Sequence, residues 1–200
     1  MRSSPVVVAL ALAACSPKSG TPTTVTPDAA GATTKTSAPK SDAGTPQART
    51  LTADTPSTTT AGNGFIAPAQ WRMTVDGAVT RLESPERDSY VAFVDLQAKS
   101  ADEALAKAWA TVSPDMKWKQ LVRNESPDKD GWQHITSYGY EVPPNLKRAI
   151  GAQAMFANGT WTVVLIDVAE ATAEKRGSQL GVMFGRLLPK GGQLESFAGK

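Results

Sequence analysis

The chain has little cysteine, little histidine and, in its first 64 residues, no aromatic side chains. Cys15 and His134 are the only residues of their types among 200. A lone cysteine excludes an intramolecular disulfide, and two isolated residues exclude a zinc site built from Cys and His clusters. The net charge of +2 is small, and no basic cluster with interleaved aromatics appears. We therefore expect no nucleic-acid partner.

Long apolar runs are also missing. The early apolar segment, Val6 to Ala11, follows a single Arg2 and is far shorter than the roughly 20 residues that span a bilayer. Small residues follow it in Leu12-Ala13-Ala14-Cys15. A positive start, a short apolar core and small residues at the cut are typical of a secretory signal peptide. The sequence predicts such a peptide over residues 1–14, with cleavage between Ala14 and Cys15.

The tetrad that ends in Cys15 also resembles a bacterial lipobox. The resemblance implies that the Cys15 thiol is lipidated and that Cys15 becomes the first residue of the mature chain. Two or more acyl chains hold a protein stably to a bilayer, whereas one does so only marginally. Ser16 follows, and by resemblance to enteric lipoproteins a residue other than Asp there favours the outer membrane. We expect a lipid-anchored, periplasm-facing outer-membrane protein; the alternative is an ordinary signal peptide with a chance cysteine.

The stretch after the cysteine lacks the residues that build a core. No aromatic precedes Phe65 and no isoleucine precedes Ile66, and Ser, Thr, Pro, Ala and Gly dominate. Such a segment cannot bury enough apolar surface to offset its chain entropy. The sequence thus predicts a disordered linker over residues 15–64 and a single folded domain over residues 65–200.

Alternating apolar residues and turn signals indicate a strand-rich domain with two helices. A capping box at Ser100 and Glu103 opens the first helix; Leu146 to Ala157 suits a helix or a strand, with the strand favoured by the Asn158-Gly159 turn. The order β-β-β-α-β-β-β-β-α predicts an α+β fold, an antiparallel sheet (or sheets) with both helices packed on one face. The other predicted elements are strands at Gln70–Val75, Val79–Glu83, Tyr90–Leu96, Trp118–Asn124, Trp132–Val142 and Thr160–Val168, and a helix at Ala171–Leu188.

Two side-chain patterns lead to sharper expectations. Gly177, Gly181 and Gly185 recur every four residues in the second helix, and since each costs about 1 kcal/mol relative to Ala, we expect close approach of that helix to the sheet. In the Trp132 strand, strict alternation places Trp132, His134, Thr136, Tyr138 and Tyr140 on one face.

Several segments resemble the accessory region that precedes the catalytic domain in some serine hydrolases of the β-lactamase and penicillin-binding-protein superfamily. The resemblance implies an accessory domain without the catalytic domain, because the sequence reaches Lys200 at the point where the hydrolase domain would follow. It also suggests a serine hydrolase acting in trans as a partner. The segments are Glu174–Leu180, Pro189-Lys190-Gly191, Glu195–Lys200, Trp161–Asp167 and Ala108-Trp109.

Candidate catalytic and metal-binding residues are few. Ser37-Ala38-Pro39-Lys40 and Ser126-Pro127-Asp128-Lys129 match the S-x-x-K pattern of that superfamily, but the first lies in the predicted linker and the second in a turn. His134 lies mid-strand among aromatics, where a structural role is favoured over a general base. The loop carboxylates of Glu83, Glu86 and Asp88 lack a calcium-loop spacing. The sequence predicts no enzyme, catalytic residue, cofactor or metal.

The leading hypothesis is a non-catalytic lipoprotein that presents a small α+β interaction domain to an unknown envelope protein. The alternative is a small-ligand-binding periplasmic lipoprotein, with Trp71, Trp118 and Trp132 lining an aromatic pocket. A core role for most of these tryptophans is the favoured interpretation.

Overall fold

The structure is a computed structural model, and it describes residues 47–192. The signal peptide, Cys15 and the motif Glu195–Lys200 lie outside these residues. The helices are α1 (Ala101–Val112) and α2 (Glu170–Gly185), and a short 3₁₀ turn covers Pro144–Leu146. The strands are β1 (Gln47–Thr50), β2 (Thr55–Thr58), β3 (Gly64–Ala67), β4 (Arg72–Asp76), β5 (Val79–Glu83), β6 (Tyr90–Leu96), β7 (Gln120–Ser126), β8 (Gln133–Tyr140), β9 (Arg148–Ala157) and β10 (Thr160–Ala169).

Eight of these strands form one antiparallel sheet in the order β1-β4-β5-β6-β10-β9-β8-β7, and β2 and β3 form a separate pair. The central strand β10 pairs along its length with β9 and with β6. Burial on both faces explains its nearly continuous apolar sequence. The predicted α+β class, with an antiparallel sheet and two helices, is confirmed. The segment Leu146 to Ala157, which suits a helix or a strand by sequence, contains strand β9.

The two helices lie on opposite faces of the sheet, not on one face as predicted. Val91, Phe93 and Val164 pack with Met183 of α2, whereas the alternate residues Ala92 and Val163 pack with α1. Successive side chains of a strand point to opposite faces, so each central strand serves both cores. The order of strands and helices along the chain does not determine which face of the sheet each helix covers. The sequence therefore could not place the two helices.

The predicted cap of α1 is present in a slightly altered form. The Glu103 amide donates to Ser100 Oγ at 3.2 Å, and a Glu103 side-chain oxygen accepts from the Lys99 amide at 2.9 Å. The return bond therefore reaches one residue before the cap instead of the cap itself. Ala104, Leu105 and Ala108 are buried against the sheet, which fixes the inner face of the helix.

The glycines of α2 do not approach the sheet, contrary to the expectation from their spacing. A Cβ atom added at Gly177, Gly181 or Gly185 would have no neighbour within 4 Å outside the helix backbone. All three are exposed. The buried stripe is carried by other residues, among them Thr172 and Met183. Helical spacing identified a common face correctly but not which face meets the sheet.

A β-bulge overturns the predicted alternation in β8. The pairing with β9 shifts between Gln133 and Thr136, and His134 adopts a left-handed conformation with φ 51°. Trp132 consequently belongs to the α2 core and Tyr138 to the α1 core. An inserted residue reverses the side-chain parity of everything before it, so the five residues predicted to share one face are divided.

The ordered chain starts earlier than the predicted boundary at residue 65. Strands β1 and β2 fall in the segment that the sequence analysis placed in the linker. Leu51 is buried with 5% of its surface exposed, and its amide donates to the carbonyl of Trp71 at 2.9 Å. Pairing with β4 and β3 supplies the order that the polar composition of this segment does not indicate.

Candidate ligand groove beside helix α1

The helix α1 covers only part of its face of the sheet. It contacts β6, β8, β9 and β10, and it leaves the same face of β4 and β5 open. This uncovered floor and the C-terminal end of α1 enclose a groove of about 500 Å³, with Thr111 and Val112 forming the helix wall. We call it the α1 groove. Its volume falls within the range of about 300–1,000 Å³ that small-molecule sites occupy.

Cross-strand pairs arrange the floor of the α1 groove in three rows. Arg72 lies opposite Glu83, Thr74 opposite Arg81, and Asp76 opposite Val79. All six line the groove, because every second residue of a strand faces the same side. The intervening residues Met73 and Leu82 belong to the core on the other face.

The charges on this floor are unequally engaged. Arg72 Nη1 lies 3.8 Å from Glu83 Oε2, with 56% of the Arg72 side chain exposed, so the pair is weak and screened. The guanidinium carbon of Arg81 sits 3.8 Å from the centre of the Tyr90 ring. No hydrogen-bond acceptor or ion-pair partner for Arg81 is found within residues 47–192. Arg81 is half-buried and lines the groove, and its only described side-chain contact is the face of the Tyr90 ring.

Tyr90, whose ring contacts the groove residue Arg81, lines a second, smaller cavity. That cavity measures about 100 Å³ and is bordered by Tyr90, Trp109, Trp118 and Asp167. Burial raises the pKa of the Tyr90 hydroxyl, and the nearby charge of Asp167 raises it further. Tyr90 therefore remains a neutral ring, on whose face Arg81 is held by a cation–π contact.

The tryptophans mostly occupy the core, as favoured by the sequence. Trp71 is fully buried and donates to Gln179 Oε1 at 2.9 Å, and Trp132, with 3% of its surface exposed, donates to the carbonyl of Leu187 at 3.1 Å. Trp118 is half-buried at the smaller cavity. The three do not converge, and the aromatic-lined cavity is below the usual size of a small-molecule site.

The structure disperses the remaining candidate residues. Glu83 faces Arg72, and Glu86 binds Arg176, while Asp88 accepts from Ser84, Ser89 and Thr172. The hydrogen bond from Ser89 is the main cause that lowers the pKa of Asp88. Each carboxylate has its own structural partner, and residues 47–192 contain no group of three side chains suited to hold a metal ion.

His134 and the S-x-x-K match near it have structural positions. The His134 ring is exposed and lies 6.0 Å from the Phe156 ring centre and 6.3 Å from that of Trp161. Its amide donates to Asp128 Oδ1 at 3.0 Å, which ties the turn Ser126–Lys129 to the bulge. Ser37 and Cys15 lie outside the described residues. No helix between residues 47 and 192 has the length and apolar character needed to cross a membrane.

The fold defines the chain as an α+β protein with one helix on each face of an antiparallel sheet. No protein-family model matches the chain, and no curated protein matches it. Among solved structures, it is similar to the solution structure of cyanobacterial PsbP (CyanoP) from Synechocystis sp. PCC 6803. The identity is 16%, the TM-score is 0.49, and the match covers 68% of this chain and 92% of that chain. We draw no functional conclusion from a likeness at this level.

The interpretation as an accessory region of a serine hydrolase is wrong. No model of such a family matches, and the structural likeness found is to cyanobacterial PsbP, which is not such an accessory region. The segments that suggested the resemblance have ordinary roles here, since Trp161–Asp167 is part of the central strand and Arg176 on α2 pairs with Glu86. Short strand and helix segments of this kind recur in unrelated folds, and the proposed hydrolase partner loses its basis with them.

Sequence reasoning missed the α1 groove. The sequence predicts a strand over Val79–Glu83, but a strand alone does not indicate that one of its faces lines a groove. The groove exists because α1 stops short of β4 and β5, and this depends on the strand order in the sheet.

Proposed function

We propose that this chain is a lipid-anchored lipoprotein of the cell envelope that presents a non-catalytic α+β interaction domain to the periplasm. The observation that carries the proposal is the segment Leu12-Ala13-Ala14-Cys15 after a short apolar run. The Cys15 thiol takes the lipid, and cleavage after Ala14 makes it the first mature residue. Ser16 favours the outer membrane.

The position of the first strand suits such an anchor. The 31 residues 16–46 separate Cys15 from β1, and their Ser-, Thr-, Pro- and Ala-rich composition is that of a flexible spacer. A flexible coil of this length has a reach of roughly 30 Å. That distance holds a small domain clear of the lipid headgroups, where an envelope protein can reach it.

A non-catalytic role is supported by the use that the domain makes of its acidic groups. Glu86 and Asp102 have lowered pKa values because Arg176 and Arg123, respectively, bind them. Tyr138 donates to Asp102 at 2.8 Å, and burial first and this bond second raise the pKa of its hydroxyl. These groups connect one element to another across the surface, and they serve the fold.

Mass spectrometry of the mature protein tests the anchor. We expect an N-terminal peptide that begins at Cys15 and carries acyl mass. We also expect the mature protein to be found in the membrane fraction of the cells. The Cys15→Ala variant should lose the acyl mass and the membrane association. An unacylated N-terminus in the wild-type chain would refute the proposal.

A second variant tests the destination. In an enteric host, Ser16→Asp should keep the acyl mass and move the protein from the outer to the inner membrane, whereas Ser16→Ala should leave it in place. If both variants remain in the outer membrane, the sorting argument from Ser16 fails while the anchor itself stands.

A further inference from the structure

We propose that the α1 groove binds a small monocarboxylate with an apolar body, and that Arg81 holds its carboxylate. The guanidinium of Arg81 has five N–H donors, and it has no hydrogen-bond acceptor within residues 47–192. A planar carboxylate matches the guanidinium fork with two parallel hydrogen bonds. This binding goes beyond the anchor and does not depend on it.

The two carboxylates of the lining disfavour a ligand with a second negative charge. Two arginines and two carboxylates line the groove, Arg72 and Arg81 with Asp76 and Glu83, so the formal charges of the lining cancel. Arg72 is already turned towards Glu83. A divalent anion such as phosphate would meet two carboxylates with only one unpaired cation, whereas a monoanion is compensated by Arg81 alone.

The apolar part of the ligand has a matching surface. Val79 forms one side of the floor and Val112 of α1 forms the wall, and both side chains are half-buried against the α1 core. A short alkyl chain placed between them removes apolar surface from water, worth about 0.8 kcal/mol per buried CH₂.

Tyr90 prepares Arg81 for the ligand. The contact of 3.8 Å with the ring restricts a side chain that otherwise loses much rotamer freedom on binding. A group held in place before binding costs less to order. The Thr74 side chain, opposite Arg81, offers a hydroxyl beside the same position.

Titration of the full chain with sodium hexanoate, followed by amide and Arg Nε–H NMR shifts, tests the proposal. We expect saturable shifts at Arg81, Val79 and Thr111. Hexanamide, which has the same body without the charge, should bind about 10-fold or more weakly, in keeping with a lost charge-assisted bond. Equal binding of hexanamide, or saturable binding of inorganic phosphate but not hexanoate, overturns the proposal.

Two substitutions give effects of opposite sign. Arg81→Gln should weaken hexanoate binding about 10-fold or more, with Arg81→Lys in between, because the fork is lost but the charge remains. Glu83→Gln should tighten binding about 2- to 5-fold, because a like charge leaves the groove. Arg49→Gln is the matched control, since Arg49 pairs with Met73 and faces the other side of the sheet. Unchanged affinity in both Arg81→Gln and Glu83→Gln overturns the proposal.

Discussion

Arg176 of α2 holds Glu86 through two nitrogens on a single oxygen. Its Nε and Nη2 lie 3.2 and 2.9 Å from Glu86 Oε1, which Lys175 Nζ also contacts at 2.8 Å. These bonds, with Arg176 as the largest cause, lower the pKa of Glu86 from 4.5 to about 2 against the opposing effect of burial. The pair fastens α2 to the loop before β6.

Acid should weaken the protein through this pair. Because the folded-state pKa of Glu86 is depressed, its contribution to the free energy of unfolding is full above pH 4.5 and is lost as the pH falls towards 2. Glu86→Gln should cost about 1–2 kcal/mol at pH 7, allowing for partial solvent screening, and the difference from wild type should vanish near pH 2. Urea unfolding at several pH values measures it.

Glu174→Gln provides the control for Glu86, since Glu174 is exposed on the same helix. It should change the free energy of unfolding by less than about 0.5 kcal/mol at any pH. A Glu86→Gln cost that persists at pH 2 would assign the effect to packing and not to ionisation.

Removal of the buried Asp95 carboxylate should lower the free energy of unfolding more than removal of an exposed carboxylate. It is 8% exposed and accepts from Ala61 N at 2.7 Å, from Thr60 Oγ1 at 2.9 Å and from Thr162 Oγ1 at 2.7 Å. Asp95→Ala removes the acceptor of the buried Thr162 hydroxyl and of the half-buried Ala61 amide, which should destabilise by about 2–4 kcal/mol. Thermal unfolding measures the loss, and hydrogen exchange should show faster exchange at Ala61. The exposed Asp115→Ala should do neither.

The exposed glycines of α2 are positions where alanine should stabilise. A Cβ at Gly181 meets nothing within 4 Å, so Gly181→Ala should raise the free energy of unfolding by about 0.5–1 kcal/mol. Gly159 also has open space but a φ of +78°, and Gly159→Ala should destabilise the protein. Denaturant titration of both variants separates the two cases; stabilisation at Gly159 would contradict the argument.

The cap of α1 should be worth a measurable amount. Ser100→Ala removes the acceptor for the Glu103 amide and should cost about 1 kcal/mol. Ser100→Asp keeps an acceptor at this position and should retain most of the stability. If Ser100→Asp loses as much as Ser100→Ala, the bond at Ser100 is not the source.

Local sequence patterns predicted most of the strands and helices, but they did not predict how these elements pack and pair with one another. A turn signal before the first and a richness in β-forming residues in the second predicted β5 and β6 with the bounds that the structure shows, Val79–Glu83 and Tyr90–Leu96. The same patterns placed both helices on one face, which is wrong, and missed the bulge at His134, because both features depend on the neighbouring strands. Strands β1 and β2 were missed because their polar sequence becomes ordered only through pairing with β4 and β3.

The floor of the α1 groove was unpredictable for the same reason. Nothing in the sequence around Arg81 distinguishes it from an ordinary arginine on the solvent-facing side of a strand. Arg81 becomes a candidate binding residue because Tyr90 of the neighbouring strand β6 contacts its guanidinium. The C-terminal end of α1, which is distant in sequence, closes the groove beside it. Only the order of the strands brings these residues together.

The edge strand β1 pairs with β4, which forms one side of the floor of the α1 groove. Four residue pairs join β1 to β4, and Leu51, buried just after them, is the point where fraying should stop. Edge segments of this kind open far more often than the whole domain unfolds. Each opening would bare the backbone of β4 beside Arg72 and Thr74, so we expect the side of the groove formed by β4 to change shape when the first strand opens.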